Sequence, residues 1–229
     1  MKDNDYIGRL ENVIKQMLIP LKNIPFNLVI EILTGKKVIP FDLKEHGDKE
    51  LLKVLRQVAV LGGKEINRNG IKSKRANEVG NYIEVFVKNA MQHYSLSPDI
   101  PAGPTGKKKA AGYPDIIFFF KEKPYYLECK TYNLKNISTT QRSFYFSPSD
   151  DFKVVHDAHH FALSYEMFLD GRKGDRNIYK CKHYKILSLE SLSLDVKYEF
   201  NSDNQRVYSG KNGAMILDEG NIDYWGTHK

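Results

Sequence analysis

Apolar positions in the first hundred residues recur mostly at helical spacing. Ile7, Leu10, Val13, Ile14, Met17 and Leu18 form one stripe over residues 5–19, ended by Pro20. Phe26–Leu33 is a second apolar segment, closing at Gly35. Asp48 has the chemistry of an N-cap for a third helix, Lys49–Leu61, with Gly62-Gly63 as its stop. A stronger period runs through Asn77–Tyr94, with Val79, Tyr82, Ile83, Phe86 and Ala90 as the core stripe. The pattern then turns to strand, at Ile116–Phe120 and Tyr125–Thr131 around the polar turn Lys121-Glu122-Lys123-Pro124. Ser147 at an N-cap, Pro148 at the first position and Asp150 and Asp151 in the first turn predict another helix, running to about Leu169 before Gly171. Strands follow at Ile178–Leu189, Leu192–Phe200 and Arg206–Ser209. The expectation is one α/β (α+β) domain over residues 1–229. It has a helical portion over 1–65, a mixed sheet flanked by helices over 70–190, and strands and a tail over 191–229.

The hairpin at 116–131 carries the chemistry. A four-residue turn that pairs Phe120 with Tyr125, or a two-residue turn that pairs Lys121 with Pro124, sets Asp115 opposite Lys130 and Glu128 opposite Ile117. Cross-strand partners share a face and successive residues alternate faces. Asp115, Glu128 and Lys130 therefore emerge on one face, and Phe118, Phe120, Leu127 and Cys129 on the other. Two carboxylates and an ammonium on a largely apolar sheet are costly unless paired or holding a metal. Few carboxylates with room for water and phosphate suit Mg²⁺, which polarises a phosphoryl oxygen and activates a bound water. The ammonium is placed to orient that water and offset transition-state charge. The plainer alternative is a surface hairpin in which Asp115 caps a turn and Glu128 is salt-bridged to Lys130.

Pro114-Asp115, followed thirteen positions after the Asp by Glu128-Cys129-Lys130, resembles the signature of the PD-(D/E)XK nucleases, a superfamily that includes most type II restriction endonucleases. The resemblance covers about twenty residues directly and implies a restriction-endonuclease-like core. Carried over, Asp115, Glu128 and the backbone carbonyl of Cys129 would hold Mg²⁺, with Mn²⁺ as a substitute, and Lys130 would position the attacking water. The run Glu78-Val-Gly-Asn-Tyr-Ile-Glu84 is similar to a Gly-x-x-x-Glu helix of MutH-type nucleases, which makes Glu84, rather than Glu78, a further metal-site residue; Gly80 would bring that helix close to the sheet. The implied activity is hydrolysis of double-stranded DNA at a short sequence, leaving 5′-phosphate and 3′-hydroxyl ends. A homodimer for a palindromic target and a DNA methyltransferase in the same system belong to that expectation. Repair or junction nucleases, and an inactive DNA-binding module of the same fold, are the alternatives.

Bulk properties fit a nucleic-acid partner. The net charge is +7 over 229 residues, with a pI near 9.1. Basic residues cluster at Lys72, Lys74 and Arg75 and in the Gly/Pro-rich loop holding Lys107, Lys108 and Lys109, the expected phosphate contacts. Asn133, Gln141 and Arg142 lie in a polar stretch after the hairpin and have side chains that read base edges. Two cysteines, Cys129 and Cys181, make no disulfide framework, and His156 and His160 lack a third zinc ligand. No run reaches membrane-spanning length and no signal peptide is legible, so a cytoplasmic bacterial or archaeal protein is expected.

Overall fold

The computed structural model describes residues 2–19, 21–109, 112–135, 138, 144–197 and 215. The elements are α1 (Lys2–Met17), β1 (Ile24–Pro25), α2 (Phe26–Thr34), α3 (His46–Asn69), β2 (Ile71–Ser73), a 3₁₀ turn (Ala76–Glu78), α4 (Gly80–His93), β3 (Ile116–Phe120), β4 (Lys123–Tyr132), β5 (His159–Lys173), β6 (Arg176–Ser188) and β7 (Ser193–Leu194). Two compact units are present. One contains residues 1–21 and 195–229, of which α1 is the described element, with surface ion pairs Arg9–Asp5 (2.8 Å) and Lys15–Glu11 (3.7 Å). The other, Lys22–Leu194, holds the sheet and the candidate site.

That sheet has five strands in the order β2-β6-β5-β4-β3, with β4 and β5 parallel and the other pairs antiparallel. One face packs on α3 and α4 through Leu51, Leu55, Val58, Ile83, Val87, Phe118, Leu127, Leu163 and Tyr165. The other face meets α2 through Phe26, Ile30, Tyr126, Ala162 and Leu189. The mixed α/β architecture expected of a restriction-endonuclease-like core is therefore present. Strand β6 also matches its expected segment, and Gly35 closes α2 in the left-handed region at φ 67°.

Three expectations fail for identifiable reasons. Residues 159–169 form the central strand β5, not the end of a long helix from Ser147. A strand buried on both faces reads as a continuous apolar run, which periodicity alone does not separate from a buried helix. The third helix runs through Gly62 and Gly63 to Asn69, and Asp48 is not its cap; that carboxylate accepts the Asp42 N–H at 2.8 Å. A Cβ at Gly62 would stand 2.7 Å from the Tyr165 hydroxyl, so these glycines serve close helix–sheet approach rather than termination. The buried stripe is Val79 at the N-cap of α4 and Ile83, Val87, Ala90 and Met91 within it, while Tyr82 is exposed. Of the expected strand 192–200, residues 192–197 are described and only Ser193–Leu194, β7, is strand; 206–209 lies outside the described residues.

Candidate active site

The hairpin that positions the acidic residues turns one residue earlier than expected. Lys121 and Glu122 both take positive φ, 49° and 64°, the signature of a two-residue turn of type I′. Phe120 thus pairs with Lys123 and Ile116 with Leu127, two residues from the expected register. A shift of two preserves side-chain parity. Asp115, one residue before β3, falls opposite Glu128 rather than Lys130, and the faces stay as expected: Phe118, Leu127 and Cys129 join the α3–α4 core.

On the opposite face the charged groups close on one another. Lys130 Nζ lies 2.6 Å from Glu128 Oε1, and the Cys129 N–H donates to Asp115 Oδ2 at 2.7 Å. Glu128 is 4% exposed, and its Oε2 is buried without a hydrogen-bond partner among the described residues. Burial first, and the nearby Asp115 second, push the Glu128 carboxyl up to about 7, against the pull of Lys130. Asp115 is also raised by burial, with the Cys129 N–H and Lys130 opposing. The two carboxyls behave as one acidic pair that resists double ionisation. Lys130 lies over the rings of Phe144 and Tyr145, at 5.8 Å and 5.9 Å.

A further charge went unread in the sequence. Lys153 is 3% exposed and donates to the carbonyls of Lys109 (3.2 Å) and Gly112 (2.5 Å), in the segment leading to Asp115. Burial lowers its pKa, while the negative charges of Asp115, Glu128 and Glu84 counter that. Nothing in the pattern Asp-Phe-Lys153-Val-Val distinguishes it from a solvated lysine, because its burial depends on contacts more than forty residues away.

The other expected residues divide. Glu84 is close enough for its charge to raise Asp115, yet its carboxylate is paired with Lys88 at 2.5 Å, and Glu78 accepts from Ser73 Oγ at 2.8 Å. α4 does approach β4 at Gly80, where a Cβ would stand 3.4 Å from Thr131 Oγ1. In the basic loop Lys108 is paired with Asp99 (2.5 Å) and Lys109 with Asp151 (2.9 Å), leaving Lys107 as the member with no ion pair among the described residues. Lys72 and Arg75 are exposed, Lys74 pairs with Asp175 at 2.8 Å, and Asn133 Oδ1 accepts the Lys135 N–H. Gln141 and Arg142 lie outside the described residues. His160 is a packing residue, its Nδ1 2.6 Å from the Tyr113 hydroxyl and its pKa lowered by burial to about 3.

The donor set suits a hard cation. Two adjacent carboxylates, one with an orphaned buried oxygen, match an ion such as Mg²⁺ that takes one or two carboxylates and keeps its waters. Among the described residues, no three His, Cys, Asp or Glu side chains gather as a metal cage, so any ion here leans on water, backbone or substrate oxygens.

Residues 19–211 match the model of the Type II restriction enzyme MjaV family. The chain belongs to that family. It is 36% identical over 225 residues to the type II restriction enzyme MjaV of Methanocaldococcus jannaschii, covering 91% of this chain and 95% of the relative. No solved structure matches significantly. Membership makes this protein an enzyme of the restriction class, a site-specific deoxyribonuclease.

Proposed function

We propose that the protein is a Mg²⁺-dependent type II restriction endonuclease of PD-(D/E)XK type, in which Asp115, Glu128 and Lys130 carry the chemistry. The observation behind this reading is the Asp115–Glu128 pair, Glu128 buried with its Oε2 unpartnered among the described residues and Lys130 Nζ 2.6 Å from Oε1. Asp115, Glu128 and the Cys129 carbonyl would hold the ion, and Glu84 would tune it through its charge. When bound, the ion supplies Lewis acidity toward a phosphoryl oxygen and lowers the pKa of a bound water. Lys130, held by Glu128 and two aromatic faces, orients a water for in-line attack on phosphorus and offsets the added negative charge. Attack forms a P–O bond and breaks the bond to the 3′ oxygen, leaving a 5′-phosphate and a 3′-hydroxyl. Lys107, Lys72 and Arg75 remain candidates for phosphate contacts, and Asn133, Gln141 and Arg142 for base contacts. A palindromic target would be cut on both strands by a homodimer.

The test is digestion of phage DNA in Mg²⁺, Mn²⁺ or EDTA, with sequencing of the fragment ends. Discrete fragments bearing 5′-phosphates at one repeated sequence, formed in either metal and not in EDTA, are expected. Metal-independent cleavage, or cutting confined to branched DNA, overturns the reading. Lys130→Ala is expected to lower the single-turnover rate by at least about a hundredfold, the scale of one positioned electrostatic group. Unchanged cleavage would remove Lys130 from the mechanism.

A further inference from the structure

The sheet face that carries Glu128 and Lys130 does not end with them. Register pairs Lys130 with Ser164 and Ser164 with Lys185, making one row across three strands. The next row runs from Tyr132 through Glu166 to His183. Between Glu166 and Met167 the β5–β6 register shifts, and Lys182 is the extra residue on β6. A bulge re-aims side chains in this way. Lys182 reaches Glu166 at 2.9 Å, so Lys182 and His183 serve the same face although they are consecutive.

The row is cross-braced. Lys185 Nζ lies 5.0 Å from the centre of the Tyr132 ring, and the Tyr132 hydroxyl is 2.9 Å from His183 Nδ1. Lys185 is only partly buried, and Lys182 and His183 are exposed. The opposite face at this level, Tyr165, Met167, Cys181 and Tyr184, is committed to the α3–α4 core. Unlike Lys108 and Lys109, Lys185 takes no ion pair among the described residues and sits against an aromatic face instead. Two strand spacings separate it from Lys130, roughly 10 Å. At that strand separation two long lysine side chains on one face can reach different phosphates of a single strand.

We infer that Tyr132, Lys182, His183 and Lys185 form the track on which the sugar–phosphate backbone of the DNA strand lies as it crosses the catalytic pair. Lys185 takes a phosphate near the scissile one, and the Tyr132–His183 pair supplies hydrogen bonds to backbone oxygens. The track rests on the nuclease reading and adds to it the direction in which the strand leaves the site, across β5 and β6. Such contacts position DNA without reading its sequence.

The test uses the full-length protein and a fluorescent duplex carrying the site mapped by the phage digest, beside a scrambled duplex, bound in Ca²⁺ at several salt concentrations. Lys185→Ala should weaken both duplexes by a similar factor, roughly five- to tenfold at low salt. The slope of log affinity against log salt should become about 0.9 shallower, with the cut position unchanged. Lys53→Ala is the charge-matched control, because Lys53 is exposed on α3, which packs on the other face. An equal slope change in Lys53→Ala, or none in Lys185→Ala, overturns the track while leaving the nuclease reading intact. Should Lys185→Ala not fold by circular dichroism, Lys185→Gln and Lys182→Ala carry the same comparison. If the unaltered protein neither binds nor cuts either DNA, the nuclease reading fails, and the track with it.

Discussion

Glu128 sets the behaviour of the site at the scale of single residues. Its carboxyl titrates near 7 in the fold against about 4.5 in an unfolded chain. Below 4.5 it is protonated in both states and carries no penalty. As pH rises toward 7, the unfolded chain releases a proton that the folded one keeps, so stability falls. The loss approaches roughly 3 kcal/mol above pH 7, from one 1.36 kcal/mol step per pKa unit. In EDTA, the melting temperature of the unaltered protein relative to Glu128→Gln is expected to decline between pH 4.5 and 7.5; the comparison cancels the opposite contribution of buried His160, whose depressed pKa adds stability as pH rises to 6.5. Mg²⁺ should restore the loss above pH 7 in the unaltered protein and not in Glu128→Gln. A Glu128→Gln variant with the full pH dependence would mean that other groups dominate. Lys153 is the complementary case. Its ammonium faces three carboxylates and ties down the carbonyls of Lys109 and Gly112, so Lys153→Met strips a buried charge from its partners. Denaturant titration is expected to show a loss of about 3–5 kcal/mol.

At the scale of elements, what the sequence exposed and what it hid follow from the range of the interactions. The hairpin was legible because parity is local: the register came out two residues from the expected one, and Asp115, Glu128 and Lys130 still share a face. The catalytic candidates were therefore readable without the fold, whereas Lys153 was not. Strand β5 was hidden because its apolar run, flanked by a convincing N-cap sequence at Ser147, fits a helix equally well until β4 and β6 claim both its edges. Gly62-Gly63 misled for a similar reason, since its partner Tyr165 is a hundred residues away. This pair gives a test. Gly62→Ala should gain up to about 1 kcal/mol of helix propensity. It also forces a Cβ to 2.7 Å from a hydroxyl that is held by the Ala59 carbonyl at 2.8 Å and belongs to a residue 1% exposed. Overpacking costs about 1–3 kcal/mol, so the clash should win. In a Tyr165→Phe background the hydroxyl is gone, and Gly62→Ala should become neutral or stabilising. A double-mutant cycle with no coupling would mean that α3 shifts freely over the sheet.

At the scale of the whole molecule, each chain contains one Asp115–Glu128–Lys130 set, whereas cutting duplex DNA requires two strands to be hydrolysed. Either two chains act together on a symmetric target, or one chain visits the strands in turn. Mixing decides between them. Lys130→Ala chains should still dimerise and bind, since the substitution touches the chemistry and leaves the sheet face otherwise intact. With a tenfold excess of Lys130→Ala over unaltered chains, almost every active chain would be paired with an inactive one. A dimer that assigns one strand to each subunit would then nick supercoiled plasmid, and open circles would accumulate at the expense of linear product. Linear product formed in proportion to the active chains, without open circles, would instead mean that a single chain completes both cuts before release. The same mixture reports on order of assembly. If subunits exchange slowly, linear product should persist just after mixing and give way to open circles over the exchange time, so preincubation length becomes the control that separates slow exchange from sequential cutting.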